Sequence, residues 1–192
     1  MKQMTIETTQ QHFIDHLEKS VDWNKVFGVV DSLYSDEGFT SNADNFTRAT
    51  AVERALDKFS GLVRVDQPGY DFMYGEEKVE LKMGKNLFKK RNPFKTKLFK
   101  VKSFQGEKKT VEDFKNEKTF DYMLVLDLTA RRVVVIEDEY VRPLYESCGD
   151  GVSIKLDIGN YYECGIGSVE PVVPPTKLSA AIEKCVENYL DF

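Results

Sequence analysis

Histidine is nearly missing from this sequence: among 192 residues there are only His12 and His16, both close to the start. Chemistry that sets a histidine beside a nucleophile or a metal has no candidate in the rest of the chain. That excludes a Ser-His-Asp hydrolase and a histidine-dependent metal nuclease. Cysteine is equally sparse. Cys148, Cys164 and Cys185 are odd in number, widely spaced and form no CxxC pair. They read as free thiols in a reducing cytosol, not as a disulfide frame or a zinc site. No run approaches the roughly 20 apolar residues that cross a bilayer, and the polar opening from Met1 to Thr5 lacks a secretory core. A cytoplasmic chain without membrane contact is therefore expected. Glycine is too thinly placed to cradle phosphates. Gly165-Ile166-Gly167 lacks the third glycine of a dinucleotide loop, and no GxxxxGK[ST] occurs. No nucleotide cofactor is expected.

What is present is an ordinary globular composition, 41% apolar and 31% charged, in a chain long enough for one domain with a substantial core. Its net charge of −5 would by itself argue against a polyanion partner, but the charge is unevenly spread. Between Lys85 and Lys109 stand ten basic residues and one acid, Glu107, so this window carries +9 and leaves −14 to the remainder. A field polarised in that way can hold a polyanion on one face and repel it elsewhere.

Phe13, Leu17, Val21, Val26, Val29, Val30 and Leu33 recur at helical spacing, which predicts one long or two shorter helices from about Thr9 to Tyr34. Ser41 resembles an N-cap for a helix with Phe46, Ala49, Val52, Leu56 and Phe59 on one face, stopped at Gly61. Leu62 to Asp66, Tyr70 to Tyr74 and Glu76 to Met83 read as strands, the last two joined at Gly75. The basic window reads as loop plus a helical piece, broken at Asn92-Pro93. Tyr122 to Leu128 is almost continuously apolar, as expected of a strand buried on both faces, and Val133 to Ile136 is a second such strand. Val152 to Ile158 and Tyr161 to Ile166 read as a further hairpin, and Leu178 to Leu190 as an amphipathic closing helix. Helices before and after a mixed sheet predict a three-layer α/β domain.

The chemistry concentrates in Lys78-Val79-Glu80-Leu81-Lys82-Met83. Side chains alternate across a strand, so Val79, Leu81 and Met83 face the core while Glu80 and Lys82 share the other side. Asp71, across the Gly75 turn, can reach the same patch. Two carboxylates and an ammonium at one spot are costly unless they bind something. A divalent cation between Asp71 and Glu80 satisfies the negative pair and leaves Lys82 to orient a water against phosphate.

Pro68-Gly69-Tyr70-Asp71, then eight residues, then Glu80-Leu81-Lys82 on a strand resembles the PD-(D/E)xK nuclease superfamily, most of all type II restriction endonucleases. Pro68 stands three residues before Asp71 and departs from the family's adjacent pair. The resemblance covers about Ser41 to Glu137. It implies a restriction-endonuclease-like domain with a central mixed sheet flanked by helices, and Mg²⁺ held by Asp71, Glu80 and the Leu81 carbonyl. Glu53, on the helix before the motif, matches a family position and is implied as a second-metal ligand or an outer partner. The chain then divides into an N-terminal helical region (1–40), a catalytic core (41–137) and a C-terminal hairpin and helix (138–192) of one nuclease domain.

Four (D/E)-x-K triplets occur, ending at Lys78, Lys82, Lys109 and Lys115, and only the one ending at Lys82 sits in an alternating strand behind a turn and an upstream aspartate. The bland alternative is a surface hairpin in which Glu80 and Lys82 form an ordinary ion pair. The basic window begins just after Lys82 and interleaves Phe88, Phe94, Phe99 and Phe104 with cations, as expected of a face for double-stranded DNA. Lys85, Asn86, Lys89, Lys90, Arg91, Lys95 and Lys97 are the candidate DNA-binding residues. His12 and His16 have the four-residue spacing of a metal pair but no third ligand, and are expected to be ordinary helix residues. Cleavage of both strands asks for two sites, hence a homodimer. A repair or junction-resolving nuclease of the same fold and a non-catalytic DNA-binding protein are the rival readings.

Overall fold

The computed structural model describes residues 3–35, 42–67, 69–85, 87, 94–100, 110–149, 151–156 and 162–166. Three helices open the chain: α1 (Gln3–Lys19), α2 (Trp23–Ser35) and α3 (Asn42–Ser60). The first two are separate because Asp22 caps the second, accepting the Lys25 N–H on its side chain at 3.2 Å. Trp23 closes the corner by donating Nε1–H to the Leu17 carbonyl at 2.6 Å. Gly61, at φ +71°, ends α3 in the left-handed conformation that favours glycine.

A meander follows, β1 (Val63–Gln67), β2 (Tyr70–Tyr74) and β3 (Glu77–Gly84). The Gly75 turn between β2 and β3 has φ +60°. After β4 (Phe94–Lys100) and α4 (Val111–Asn116), β5 (Tyr122–Asp127) returns parallel to β3. A parallel neighbour requires a long crossover, and β4 and α4 are built within it. Then come β6 (Arg132–Glu137), α5 (Asp138–Val141), a 3-10 turn (Arg142–Leu144), β7 (Glu146–Cys148), β8 (Gly151–Leu156) and β9 (Tyr162–Glu163). The main sheet has the order β1-β2-β3-β5-β6-β9, and a smaller sheet the order β4-β8-β7.

Strand alternation sorts the apolar residues into two cores, one on each face of the main sheet. Phe72, Val79, Leu81, Leu124, Leu126, Val133 and Val135 pack with Phe13, Leu17, Trp23, Phe27 and Leu56 of the helices. Met123, Val125, Val134 and Ile136 pack instead with Phe114, Val141, Tyr145, Val152, Ile154 and Leu156. With both faces covered, every residue of β5 is buried, which explains its unbroken apolar run.

The result is a three-layer α/β arrangement around a mixed sheet, but helices alone do not flank it. The second face is covered by the small sheet together with the short helices α4 and α5. Two sequence expectations change accordingly. Within the basic window, Phe94–Lys100 is a strand rather than loop and helix; its alternation of Phe94, Thr96 and Leu98 with lysines has the strand period, and β8 supplies a partner. The expected hairpin of Val152 to Ile158 with Tyr161 to Ile166 does not form. β8 pairs with β4 and β7, whereas β9 pairs with β6 in the other sheet. Local periodicity marked both strands; their partners were set by which sheet edge each could reach. The Leu178 to Leu190 segment and Cys185 lie outside the described residues.

Candidate active site

The β2–β3 register pairs Phe72 with Val79, which sets Asp71 beside Glu80. Just past that last paired row, the Leu81 N–H donates to Asp71 Oδ2 at 2.7 Å. The carboxylate thus takes over a backbone donor where the ladder ends, and is held against β3. Glu80 and Lys82 stand level with Met123 and Val125 of β5, on the sheet face turned toward the small sheet. Their side chains form an ion pair, with Lys82 Nζ donating to Glu80 Oε1.

Glu80 is only 5% exposed. Burial pushes its carboxyl up to about 7, with the nearby Asp71 charge raising it further and Lys82 offsetting part of the rise. Such a group stays near its titration point at neutral pH, so an approaching cation would displace its proton to solvent. Glu53 is half-buried on α3, and its carboxyl is also raised, chiefly by burial. Asp71 adds to that rise, while Arg64 and Lys82 oppose it. Glu53 Oε2 accepts Arg64 Nε at 2.9 Å and lies 2.8 Å from Nη2. Asp71, Glu80 and Lys82 therefore meet on one face, with Glu53 at the border and tied to β1.

Among the described residues, no group of three or more His, Cys, Asp or Glu converges as a metal-binding set. The donors on offer are two carboxylates and the backbone at Leu81. That set suits a hard cation that keeps most of its waters and fills its remaining positions with substrate oxygens, as Mg²⁺ does. The incompletely compensated charge of buried Glu80 points the same way.

The other motifs have local explanations. His12 and His16 frame Tyr74: His12 Nδ1 meets the Tyr74 hydroxyl at 2.8 Å, and the His16 ring centre lies 4.7 Å from that of Tyr74. Nε2 of His16 donates to the Ser60 carbonyl. They join α1 to the sheet and do not form a metal pair. The triplet ending at Lys115 belongs to a helix start, where Thr110 and Asp113 form a reciprocal capping box. Cys148 and Cys164 are free thiols, and burial pushes the Cys164 thiol up to about 12.

Of the residues expected to bind DNA, Lys85 is exposed just past the end of β3. Lys95 and Lys97 lie on β4 in register with Lys155 and Ser153 of β8. Asn86, Lys89, Lys90 and Arg91 lie outside the described residues. Two residues escaped the sequence reading. Lys155 is exposed opposite Lys95, and Arg64 holds Glu53. Each sits between two apolar residues of a strand, Ile154-Lys155-Leu156 and Val63-Arg64-Val65, a pattern that names no partner.

Comparisons with protein-family models, with curated proteins and with solved structures return no match. No helix among the described residues is long and apolar enough to cross a membrane.

Proposed function

We propose that the chain is a Mg²⁺-dependent endonuclease that hydrolyses phosphodiester bonds in double-stranded DNA, on a restriction-endonuclease-like domain of type II character. The observation that carries the reading is the meeting of Asp71, Glu80 and Lys82 on one sheet face, with the Leu81 N–H orienting one carboxylate and Glu80 almost fully buried. Burying a carboxylate beside another costs stability. A buried, raised carboxyl such as Glu80, set beside a second carboxylate and a lysine, supports a reactive site.

Asp71, Glu80 and the Leu81 carbonyl are the ligands for the ion, which when bound polarises the scissile phosphate and lowers the pKa of its water. Lys82 stands on the same face, paired with Glu80. There it orients the attacking water and balances charge gathering on the phosphate oxygens. Lys85, Asn86, Lys89, Lys90, Arg91, Lys95 and Lys97 bind the DNA, and their phosphate contacts set register but do not read sequence. Cutting both strands calls for a second copy of the site, so the working form is a homodimer, seen by sedimentation of the protein alone or with DNA.

The deciding test is incubation of purified protein with supercoiled and linear DNA, with Mg²⁺ or EDTA, beside Lys82→Ala. Discrete fragments that need Mg²⁺ and slow by about 10²–10⁴-fold in the variant are expected. If both proteins bind DNA equally and neither cuts linear, nicked or branched substrates, the catalytic claim fails and a non-catalytic DNA-binding role replaces it.

A further inference from the structure

Lys78 stands two residues before Glu80 on β3, so strand alternation puts it on the same face as Glu80 and Lys82. It lies outside the basic window that begins at Lys85. Its backbone is fixed at both polar groups: Asp121 Oδ2 accepts the Lys78 N–H at 2.6 Å, and the Lys78 carbonyl accepts the Asp121 N–H at 2.8 Å. The other oxygen of Asp121 pairs with Lys118, so that carboxylate is satisfied without the Lys78 side chain. The Lys78 ammonium lies instead 5.3 Å from the centre of the Tyr70 ring, within cation–π range. Tyr70 immediately precedes Asp71 and packs against the second core, on the face of Glu80 and Lys82. Both Tyr70 and Lys78 are half-buried and keep some surface open to solvent. Lys82 is paired with Glu80, whereas among the described residues no carboxylate forms an ion pair with Lys78.

We propose that Lys78, seated on Tyr70, binds a backbone phosphate of the DNA beside the one being cut. This rests on the nuclease reading above. Lys82 already serves the scissile phosphate, and Lys78 leaves the strand roughly 7 Å from Glu80. A half-buried cation on this face without a carboxylate partner gains most from an anion, and a phosphate oxygen accepts a charge-assisted hydrogen bond from it. The Tyr70 ring restricts the ammonium before DNA arrives, and the Asp121 clamp restricts the backbone beneath it. Both lower the ordering cost of the contact. A phosphate held there fixes the register of the strand, which brings the scissile phosphate to Asp71 and Glu80.

The test is binding of double-stranded DNA by the full chain across a salt series in EDTA, then cleavage kinetics in Mg²⁺, in variants whose melting transitions show them folded. Lys78→Met and Lys78→Gln should each lower the slope of log K against log salt by about 0.9. They should raise KM roughly tenfold with kcat little changed, as loss of a uniform binding contact does. Lys78→Arg should keep the wild-type slope, and Tyr70→Phe should match wild type throughout. Tyr70→Leu should keep the slope but weaken binding about two- to fivefold, because the cation remains and only its seat is lost. An unchanged slope in both neutral Lys78 variants overturns the proposal, and Mg²⁺-dependent cutting by the wild type would leave the nuclease reading in place. A lowered slope in a protein that cuts nothing keeps the phosphate contact and removes the nuclease. A wild type that binds no DNA removes both.

Discussion

Glu80→Gln should make the metal-free protein more stable at neutral and alkaline pH while abolishing its chemistry. The side chain is buried, and its carboxyl is raised from the ordinary 4.5 to about 7. In the unfolded chain the group ionises near the ordinary value, whereas in the folded protein it holds its proton to about 7. Below about 4.5 both states are protonated and Glu80 adds no pH dependence. Between those values the unfolded state alone gives up its proton, so stability falls as pH rises. Above about 7 the full penalty is present. At about 1.4 kcal/mol per tenfold, the displacement corresponds to roughly 3 kcal/mol. Lys82 is already counted there, because its partial compensation is one of the causes. Gln approximates the protonated side chain in shape and hydrogen bonding, so the variant escapes the penalty. Urea unfolding in EDTA at pH 5 and pH 8 measures it. Part of the penalty is already present at pH 5, so the variant should gain about 2.5 kcal/mol on wild type between those pH values, or on the order of 10 °C in melting temperature. Asp138, buried beside Arg142 and raised to about 6, tilts both proteins alike and cancels in the comparison. If wild type and variant lose the same stability from pH 5 to pH 8, with unchanged m-values, Glu80 is not the strained carboxylate described here. A charge-seeking site at Glu80 is then ruled out.

Other outcomes follow from the same geometry. Saturating Mg²⁺ should raise the wild-type melting temperature, with about 2.7 kcal/mol gained at a hundredfold excess over Kd; Asp71→Asn should show no such rise, and an equal rise in both would place the ion elsewhere. Gly75→Ala meets open space but keeps φ +60°, so urea unfolding should register a loss of about 1 kcal/mol from backbone strain alone; no loss would mean that the turn relaxes. Replacing both Lys95 and Lys155 with Gln should weaken DNA binding irrespective of sequence. The slope of log K against log salt should fall by about 0.9 for each phosphate no longer neutralised. An unchanged slope would remove the small sheet from the DNA face.

Much of the frame was readable from residue order alone. β2 falls on Tyr70 to Tyr74 as expected, and β3, β5 and β6 fall within a residue or so of their predicted bounds, because alternation, continuous apolarity and a turn glycine are local signals. The sharing of one side by Glu80 and Lys82 follows from the strand period, and the reach of Asp71 to them follows from the tight turn. Tertiary structure decided the rest. Nothing local told β8 to join β4 and β7, or β9 to join β6, since a strand's partner is whichever open edge packing brings within hydrogen-bonding distance. The cover of the second sheet face, and with it the burial that strains Glu80, depends on residues as distant as Val152 and Leu156. The Leu81 N–H on Asp71 and the Arg64 grip on Glu53 are interactions between elements. A side chain's partner across such a junction is set by how helix and strand stack, and residue order states only that the two charges exist.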